Sequence, residues 1–143
     1  MTKKQSIIVD TNILFSALLN NKSSFSTLLL QGEYSYFICE LVLVELFKRK
    51  EKIIKVNQLS ETEIVRIYQI LLQRLNLYKE DLIAPDNRAT AYALCQDIDE
   101  SDTPHVALTL ELKGLLWTGD KKLKEGLIKK GFKQFFELND LKF

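Results

Sequence analysis

The sequence lacks several residue types on which functional sites commonly depend. It contains one histidine, His105, so a metal or acid–base site built from several histidines is excluded. Its two cysteines, Cys39 and Cys95, lie far apart without a CxxC pair, which is typical of reduced, semi-buried thiols in a cytosolic protein. The formal net charge is only +1, so any preference for nucleic acid or membrane must come from local clusters of charge.

Long hydrophobic runs are also missing. No segment approaches the ~18–20 apolar residues that span a bilayer, and the residues before the first predicted strand are too few for a signal-peptide core. We therefore expect a cytoplasmic protein without membrane contact. No repeat, low-complexity segment or linker interrupts the chain, and 143 residues are enough for a sizeable core, so residues 1–143 are predicted to form one domain.

Short apolar runs alternate with segments of helical pattern along the chain. Strands are predicted at 7–9, 34–39, 75–78, 115–118 and 134–136. Helices are predicted at 12–19, 24–30, 41–55, after a Ser60 capping box, from Pro85 to about 95, from Thr103 to Gly114 and at 121–130, with a final turn at 138–143. Strands that alternate with helices of this length predict an α/β fold, with a parallel sheet covered by helices on both faces.

Two of the predicted strands end in the same way, with an apolar run followed by an aspartate and a helix. Residues 7–9 lead into Asp10, and residues 115–118 lead through Gly119 into Asp120. Ligands of open α/β sheets bind beyond the carboxyl ends of strands, where the strand order reverses. If these two strands are neighbours, the two carboxylates face each other across a cleft. Taken alone, Asp10 fits equally well as the N-cap of the following helix.

Two further acids are candidates for the same site. Asp102 precedes the helix that starts at Thr103, and Glu45 follows Leu41 by about one helical turn. Crowded carboxylates repel each other by ~1–4 kcal/mol per close pair, and carboxylate oxygens without histidine or cysteine select hard cations such as Mg²⁺ or Mn²⁺. Such ions activate water and stabilise charge on a phosphate. The chemistry of these residues therefore predicts metal-dependent phosphodiester hydrolysis.

Four motifs resemble those of PIN-domain ribonucleases, in the family's order and at its spacing. They are IIVDTNIL at 7–14, LVEL at 43–46, DESDTP at 99–104 followed by VAL at 106–108, and WTGDKKL at 117–123. The resemblance implies a three-layer α/β/α fold with a five-stranded parallel sheet of order 3-2-1-4-5. It also implies that the catalytic, metal-binding acids, holding Mg²⁺ or Mn²⁺, are Asp10, Glu45, Asp102 and Asp120.

Further polar and basic residues fit this interpretation. By the resemblance, Asn12 and Thr118 support the acids or a metal-bound water. Basic side chains that flank an acidic metal site suit RNA phosphates, although such residues are equally often solvated helix faces. The candidates for phosphate contact are Lys48, Arg49, Lys121 and Lys122.

Two positions within the motifs stay open. Asp99 or Glu100 competes with Asp102 for the third acid, and Glu40 competes with Glu45 for the second. We favour Asp102 because it adjoins a helix start, with Asp99 as a supporting polar residue. We favour Glu45 because Glu40 lies at a strand end, outside the motif.

The resemblance implies a single-strand-specific endoribonuclease. The commonest small members of the family are VapC-type toxins of type II toxin–antitoxin modules, so RNA, an antitoxin protein and a second copy of the chain are the expected partners. One alternative is a PIN-like module that binds RNA or protein without cleaving, which has no use for a carboxylate cluster. Another is a haloacid-dehalogenase-like phosphatase, which needs Asp-x-Asp where this chain has Asn12.

His105 and Trp117 are predicted to be structural. His105 lies in the first turn of a helix near the site, where a surface or packing role is favoured over contact with a substrate phosphate. Trp117 lies within an apolar strand and is expected in the core rather than as a platform for stacking bases.

Overall fold

The computed structural model describes residues 4–19, 33–58 and 60–137, which form an α/β fold. Its strands are β1 (Ser6–Val9), β2 (Ser35–Cys39), β3 (Leu75–Tyr78) and β4 (Leu115–Trp117). Its helices are α1 (Thr11–Leu19), α2 (Glu40–Lys48), α3 (Lys50–Asn57), α4 (Glu61–Arg74), α5 (Pro85–Cys95), α6 (Thr103–Leu112) and α7 (Lys121–Lys129), with 3₁₀ turns at Glu80–Leu82 and Glu100–Asp102. The helix predicted at 24–30 and the turn predicted at 138–143 lie outside the described residues.

The four strands are parallel and lie in the order β3-β2-β1-β4. Ile8 of β1 pairs with Phe37 of β2 on one side and with Leu116 of β4 on the other. Residues 7–9 are fully buried, as expected for a central strand whose two faces are both covered. The order reverses between β1 and β4, so the two strands that end near Asp10 and Asp120 are neighbours.

The prediction of a fifth strand at the C-terminal end is wrong for the described residues. A single parallel bridge joins Leu116 to Phe135. Leu116 donates its N–H to the Gln134 carbonyl at 2.8 Å and accepts the N–H of Phe136 at 2.9 Å. The N–H of Phe135 turns back onto the carbonyl of Lys133, at 3.0 Å, so the backbone bends instead of extending beside β4. The segment takes the expected fifth position but is too bent to form a strand.

The single helix predicted at 41–55 is two helices, α2 and α3, which meet at Arg49. The backbone of Arg49 has φ −100° and ψ 7°, which departs from helical geometry. Residues 40–57 contain neither glycine nor proline, so the sequence carries no signal for the break. The Arg49 guanidinium lies over the ring of Phe15, 4.6 Å from its centroid, so the break coincides with a cation–π contact to α1.

One helix end follows the local sequence signal and another departs from it. At the start of α4 the N–H of Glu63 donates to Ser60 Oγ at 3.2 Å, which confirms the predicted cap. At the end of α6 the left-handed residue is Lys113 (φ 51°), so the helix ends before Gly114 rather than at it. Gly114 is needed for space, because a Cβ there would lie 2.6 Å from the Ser6 carbonyl oxygen of β1.

The core contains both cysteines and the tryptophan. Trp117 is buried and packs edge-on against Phe136, with ring centroids 5.1 Å apart, which confirms a core position. Cys39 and Cys95 are free thiols and are completely buried, more so than predicted. Within the described part of the chain, no helix is both long and apolar enough to cross a membrane.

Candidate active site

A cavity of about 220 Å³ lies where β1 and β4 end. We call it the acid cavity. Its lining residues are Asp10, Thr11, Asn12, Glu45, Arg49, Asp99, Ser101, Asp102, His105 and Asp120. All four acids that the sequence predicted as catalytic lie in this wall, and so does Asp99.

Asp10 is both a helix cap and a wall residue of the cavity. It follows β1 directly, and its backbone N–H donates to the Trp117 carbonyl of β4 at 3.2 Å. Its Oδ1 accepts the N–H of Ile13 at 3.0 Å, so it caps α1. Burial raises the pKa of Asp10, while a hydrogen bond from the Thr118 side chain acts in the opposite direction. The two interpretations of Asp10 from the sequence are therefore compatible.

Asp120 repeats this arrangement at the end of β4. Its Oδ1 accepts the N–H of Leu123 at 3.1 Å, so it caps α7. Thr118 is buried beside it, and its Oγ1 accepts the backbone N–H of Asp120 at 3.2 Å. Because the same side chain also hydrogen-bonds the carboxylate of Asp10, Thr118 joins the two strand ends.

Asp102 lies within the electrostatic field of the whole cluster. Burial raises the pKa of this half-buried carboxyl to about 7, and the charges of Asp99, Asp10, Asp120 and Glu45 act in the same direction. All five of these causes act in the same direction. Among the residues that line the acid cavity, Arg49 is the one with a positive charge, against five carboxylates, so the wall carries a net negative charge.

The three acids that competed with Asp102 and Glu45 either make hydrogen bonds of their own or do not line the acid cavity. Asp99 lies in the cavity, but its Oδ1 accepts the N–H of Ser101 at 3.0 Å and the hydroxyl at 2.6 Å, which lowers its pKa. Glu100 is exposed and does not line the cavity. Glu40 accepts the N–H of Glu80 at 3.0 Å and so ties the start of α2 to the segment after β3. Geometry thus favours Asp102 and Glu45.

Of the predicted phosphate contacts, only Arg49 lines the cavity. Its guanidinium lies 3.8 Å from a carboxylate oxygen of Glu45, and its side chain is half exposed, so the pair contributes little to stability. Lys121 and Lys122 are exposed in the first turn of α7, and Lys48 is exposed at the end of α2. None of these three lysines lines the acid cavity, although the charge of Lys122 acts on Asp99 and helps to lower its pKa.

Sequence reasoning did not assign a site role to Thr11, Ser101 or His105. His105 is buried rather than on the surface, and its Nδ1 lies 3.4 Å from the sulfur of Cys39. Burial lowers the pKa of His105 to about 4, so the ring is neutral at pH 7. Its position in the first turn of the helix after Asp102 places it near the site from the sequence, where a surface or packing role is favoured over phosphate contact.

The donor set of the cavity fits a hard cation, although the side chains do not form a finished cage. Within residues 4–19, 33–58 and 60–137, no three acidic, histidine or cysteine side chains are arranged to hold a metal ion together. Mg²⁺ is commonly held by one or two carboxylates, together with waters and substrate phosphates, so it does not require such a cage. Unbalanced carboxylate charge around Asp102 is the environment that such an ion prefers.

The sequence profile of the PIN domain matches residues 8–135. This chain belongs to the PIN-domain family. PIN domains are generally nucleases and generally use divalent metal ions. The family predicted from the four motifs is confirmed, and the phosphatase alternative has no support.

Two solved structures are similar to this fold. The structure of VapBC2 from Rickettsia felis, bound to a DNA fragment from its promoter, has a TM-score of 0.62 and 20% identity, covering 84% of this chain and 92% of that chain. PAE2754 from Pyrobaculum aerophilum has a TM-score of 0.60 and 13% identity, covering 85% of this chain and 79% of that chain. Both support the PIN fold. A search of curated proteins finds no significant match.

Proposed function

We propose that this PIN domain is a metal-dependent endoribonuclease that hydrolyses single-stranded RNA. The proposal depends above all on the five carboxylates that line one cavity at the neighbouring ends of β1 and β4. Burial and, after it, repulsion by the other four carboxylates raise the pKa of Asp102, and this crowded negative charge has to be offset. A divalent cation and a phosphate substrate together account for that charge, whereas a module that only binds RNA has no need for it.

The chain's residues divide into ligands and supports. We assign metal binding to Asp10, Glu45, Asp102 and Asp120. When bound, Mg²⁺ or Mn²⁺ supplies an activated water and stabilises charge on the phosphate. Thr118 holds the carboxylate of Asp10 and the backbone of Asp120 in place. Asn12 and Asp99 line the same cavity as polar supports.

The basic residues near the cavity would contact the RNA backbone. Arg49 lies in the wall, where a phosphate can replace Glu45 as its partner. Lys121 and Lys122 directly follow the cavity residue Asp120 in the first turn of α7, and Lys48 is exposed one residue before Arg49. Contacts of this type make binding depend on salt, so RNA affinity should fall as the salt concentration rises.

We further propose that the protein is the toxin of a type II toxin–antitoxin pair. This rests on the resemblance of its motifs to VapC-type toxins and on the similarity of its fold to VapBC2 from Rickettsia felis. An antitoxin protein is then the expected inhibitor, a homodimer the expected assembly, and the cytoplasm the expected location.

Cleavage of a single-stranded RNA in the presence and absence of EDTA tests the proposal. Chelation should abolish cleavage and added Mg²⁺ or Mn²⁺ should restore it, leaving a 5′-phosphate and a 3′-hydroxyl. Undiminished cleavage in EDTA, or products with a 2′,3′-cyclic phosphate, would contradict the mechanism. RNA binding without any cleavage would favour the non-cleaving alternative.

A matched pair of variants tests the assignment of the third acid. Asp102→Asn should remove activity, whereas Glu100→Gln, on the same 3₁₀ turn but outside the wall, should keep it. The opposite result would transfer the role to Glu100.

A further inference from the structure

His105 and Cys39 form a buried pair behind the acid cavity. Nδ1 of the ring lies 3.4 Å from the sulfur, and the two residues are 3% and 0% exposed. Cys39 is the last residue of β2 and the N-cap of α2, while His105 lies in the first turn of α6. The contact thus joins two elements through residues that are 66 positions apart in the chain. None of the roles assigned to the acids explains it.

The surroundings of this pair determine where its protons lie. Burial raises the pKa of the Cys39 thiol to about 12 and lowers the pKa of His105 to about 4, so both groups are neutral. The sulfur lies at the N-terminus of α2, but no side-chain hydrogen bond from Cys39 caps this helix. A thiol sulfur is only a weak acceptor, whereas the unprotonated nitrogen of a neutral imidazole accepts well, so the S–H is assigned as the donor to Nδ1. The single ring proton is then on Nε2.

Nε2 is the ring nitrogen that remains for the acid cavity. His105 is part of the cavity wall, and Nδ1 is occupied by the thiol. No residue in the described part of the chain hydrogen-bonds to Nε2, yet Nε2 is not among the described side-chain atoms that are sealed from solvent without a partner. Since His105 lines the acid cavity, the cavity is where a ligand would meet this nitrogen.

We propose that His105 binds the phosphate that is cleaved: Cys39 sets its tautomer, and Nε2–H donates to a non-bridging phosphate oxygen. This rests on the proposed ribonuclease function. A neutral donor suits a wall of carboxylates, because it attracts a phosphate oxygen without repelling a cation held by its neighbours. Burial and the thiol contact hold the ring in place, so its donor needs no reorganisation when RNA binds.

The tautomer is measured directly by ¹⁵N NMR of the wild-type protein. The chain has one histidine, so the imidazole signals need no assignment. At pH 7 we expect a protonated Nε2 and an unprotonated Nδ1. In Cys39→Ala we expect a mixture of the two ring tautomers and a lower kcat. In Cys39→Ser we expect the wild-type tautomer and the wild-type kcat. Cys95→Ala removes the other buried thiol and should change neither.

Two polar variants separate the donor from the packing role. In His105→Gln the amide nitrogen reaches the place of Nε2, whereas in His105→Asn it reaches only that of Nδ1. We expect kcat/KM for single-stranded RNA in Mg²⁺ to fall by roughly 10²-fold in the Asn variant and by clearly less in the Gln variant. A short single-stranded RNA added with Ca²⁺ should shift the Nε2–H signal of the wild-type protein.

Several results would overturn the inference. A proton on Nδ1, an Asn variant as active as wild type, or RNA binding that leaves the Nε2–H signal unmoved would each do so. If both variants fail to fold, the NMR measurements on wild type decide. If wild-type protein neither binds nor cleaves RNA while Nε2 is protonated, the proposed function fails and the phosphate contact fails with it.

Discussion

At the scale of single residues, Asp10 combines two roles that its sequence presented as alternatives. The end of β1 and the start of α1 meet at this residue, so its carboxylate accepts the Ile13 N–H and also lines the acid cavity. A strand that leads directly into a helix makes this combination natural, because the helix N-terminus attracts negative charge.

We expect Asp10→Asn to separate the two roles. Asparagine caps helices about as well as aspartate, and removing one negative charge relieves repulsion in the cavity, so the variant should melt at or above the wild-type temperature. Its metal-dependent RNA cleavage should fall by roughly 10²–10³-fold, the scale for losing one electrostatic group of a site. Thermal unfolding and a cleavage assay measure the two effects.

Asp86→Asn is the matched control, because Asp86 is exposed in the first turn of α5 and outside the cavity. It should change neither quantity. An unfolded Asp10→Asn protein would mean that Asp10 has a structural role beyond capping. Full activity in Asp10→Asn would mean that the active site lies elsewhere in the protein.

His105 gives a second prediction at this scale, in the pH dependence of stability. Its pKa is about 4 in the folded protein and 6.5 for an ordinary histidine, so the unfolded chain binds more protons between these values. The stability that depends on a neutral His105 is complete above pH 6.5 and is lost as the pH falls towards 4. Between pH 7.5 and pH 5 the loss is about 2 kcal/mol.

Comparison with His105→Gln isolates this effect. Asp102, whose pKa is raised to about 7, titrates in the same range with the opposite sign, but it is present in both proteins. Urea unfolding at pH 7.5 and pH 5 should therefore show wild type losing stability relative to the variant. Parallel pH profiles would contradict a buried, neutral His105.

At the scale of secondary structure elements, the site is built from a repeated unit. β1, Asp10 and α1 form one copy, and β4, Asp120 and α7 form the other. Because β1 and β4 are adjacent and parallel, the N-termini of both helices meet at one edge of the sheet. The two positive helix ends offset part of the carboxylate charge, which lets five acids share a cavity before any ligand binds.

Gly114 connects α6 to β4 and determines how closely that turn approaches β1. A Cβ at this position would lie 2.6 Å from the Ser6 carbonyl oxygen and 2.8 Å from Ile8 Cδ1. We expect Gly114→Ala to lower the free energy of unfolding by about 1–3 kcal/mol, as overpacking does elsewhere. Denaturant unfolding measures the change.

Gly119→Ala is the control, because the nearest atom to its added Cβ is 4.0 Å away. It should be close to neutral for stability. Equal changes in the free energy of unfolding for the two variants would show that the close approach of Gly114 to β1 does not determine the loss of stability.

At the scale of the whole molecule, the segment after α7 covers the outer side of β4. Phe136 packs edge-on against Trp117 and against Tyr34, with centroids 5.1 and 5.3 Å apart. Lys124 of α7 lies 2.5 Å from Glu137, the last residue described. The segment thus completes the core beside the strand that carries the second aspartate.

We expect Phe136→Ala to destabilise the protein by about 3–5 kcal/mol, because the ring is buried among other aromatic rings. Glu137→Ala, which removes only an exposed ion pair, should cost less than about 1 kcal/mol. Thermal and urea unfolding of the two variants provide the comparison. A small loss for Phe136→Ala would mean that this segment is not part of the cooperative core.

Much of this protein follows from local sequence. The run at 7–9, the aspartates after β1 and β4, and the Ser60 cap are each specified by residues close in the chain, and they place most of the helices and all four motifs. Periodicity and capping act over one or two turns, which is why these features could be predicted. The PIN family was identified from the resemblance of the four motifs to those of known PIN domains, and the profile match over residues 8–135 confirms it.

Tertiary packing decided the rest. The break at Arg49 has no glycine or proline to signal it and coincides with a contact to Phe15, while the bend at Phe135 replaces an expected strand. His105 is buried against Cys39 only because α6 packs beside the end of β2. Desolvation and long-range contacts depend on which elements become neighbours, and no local pattern encodes them.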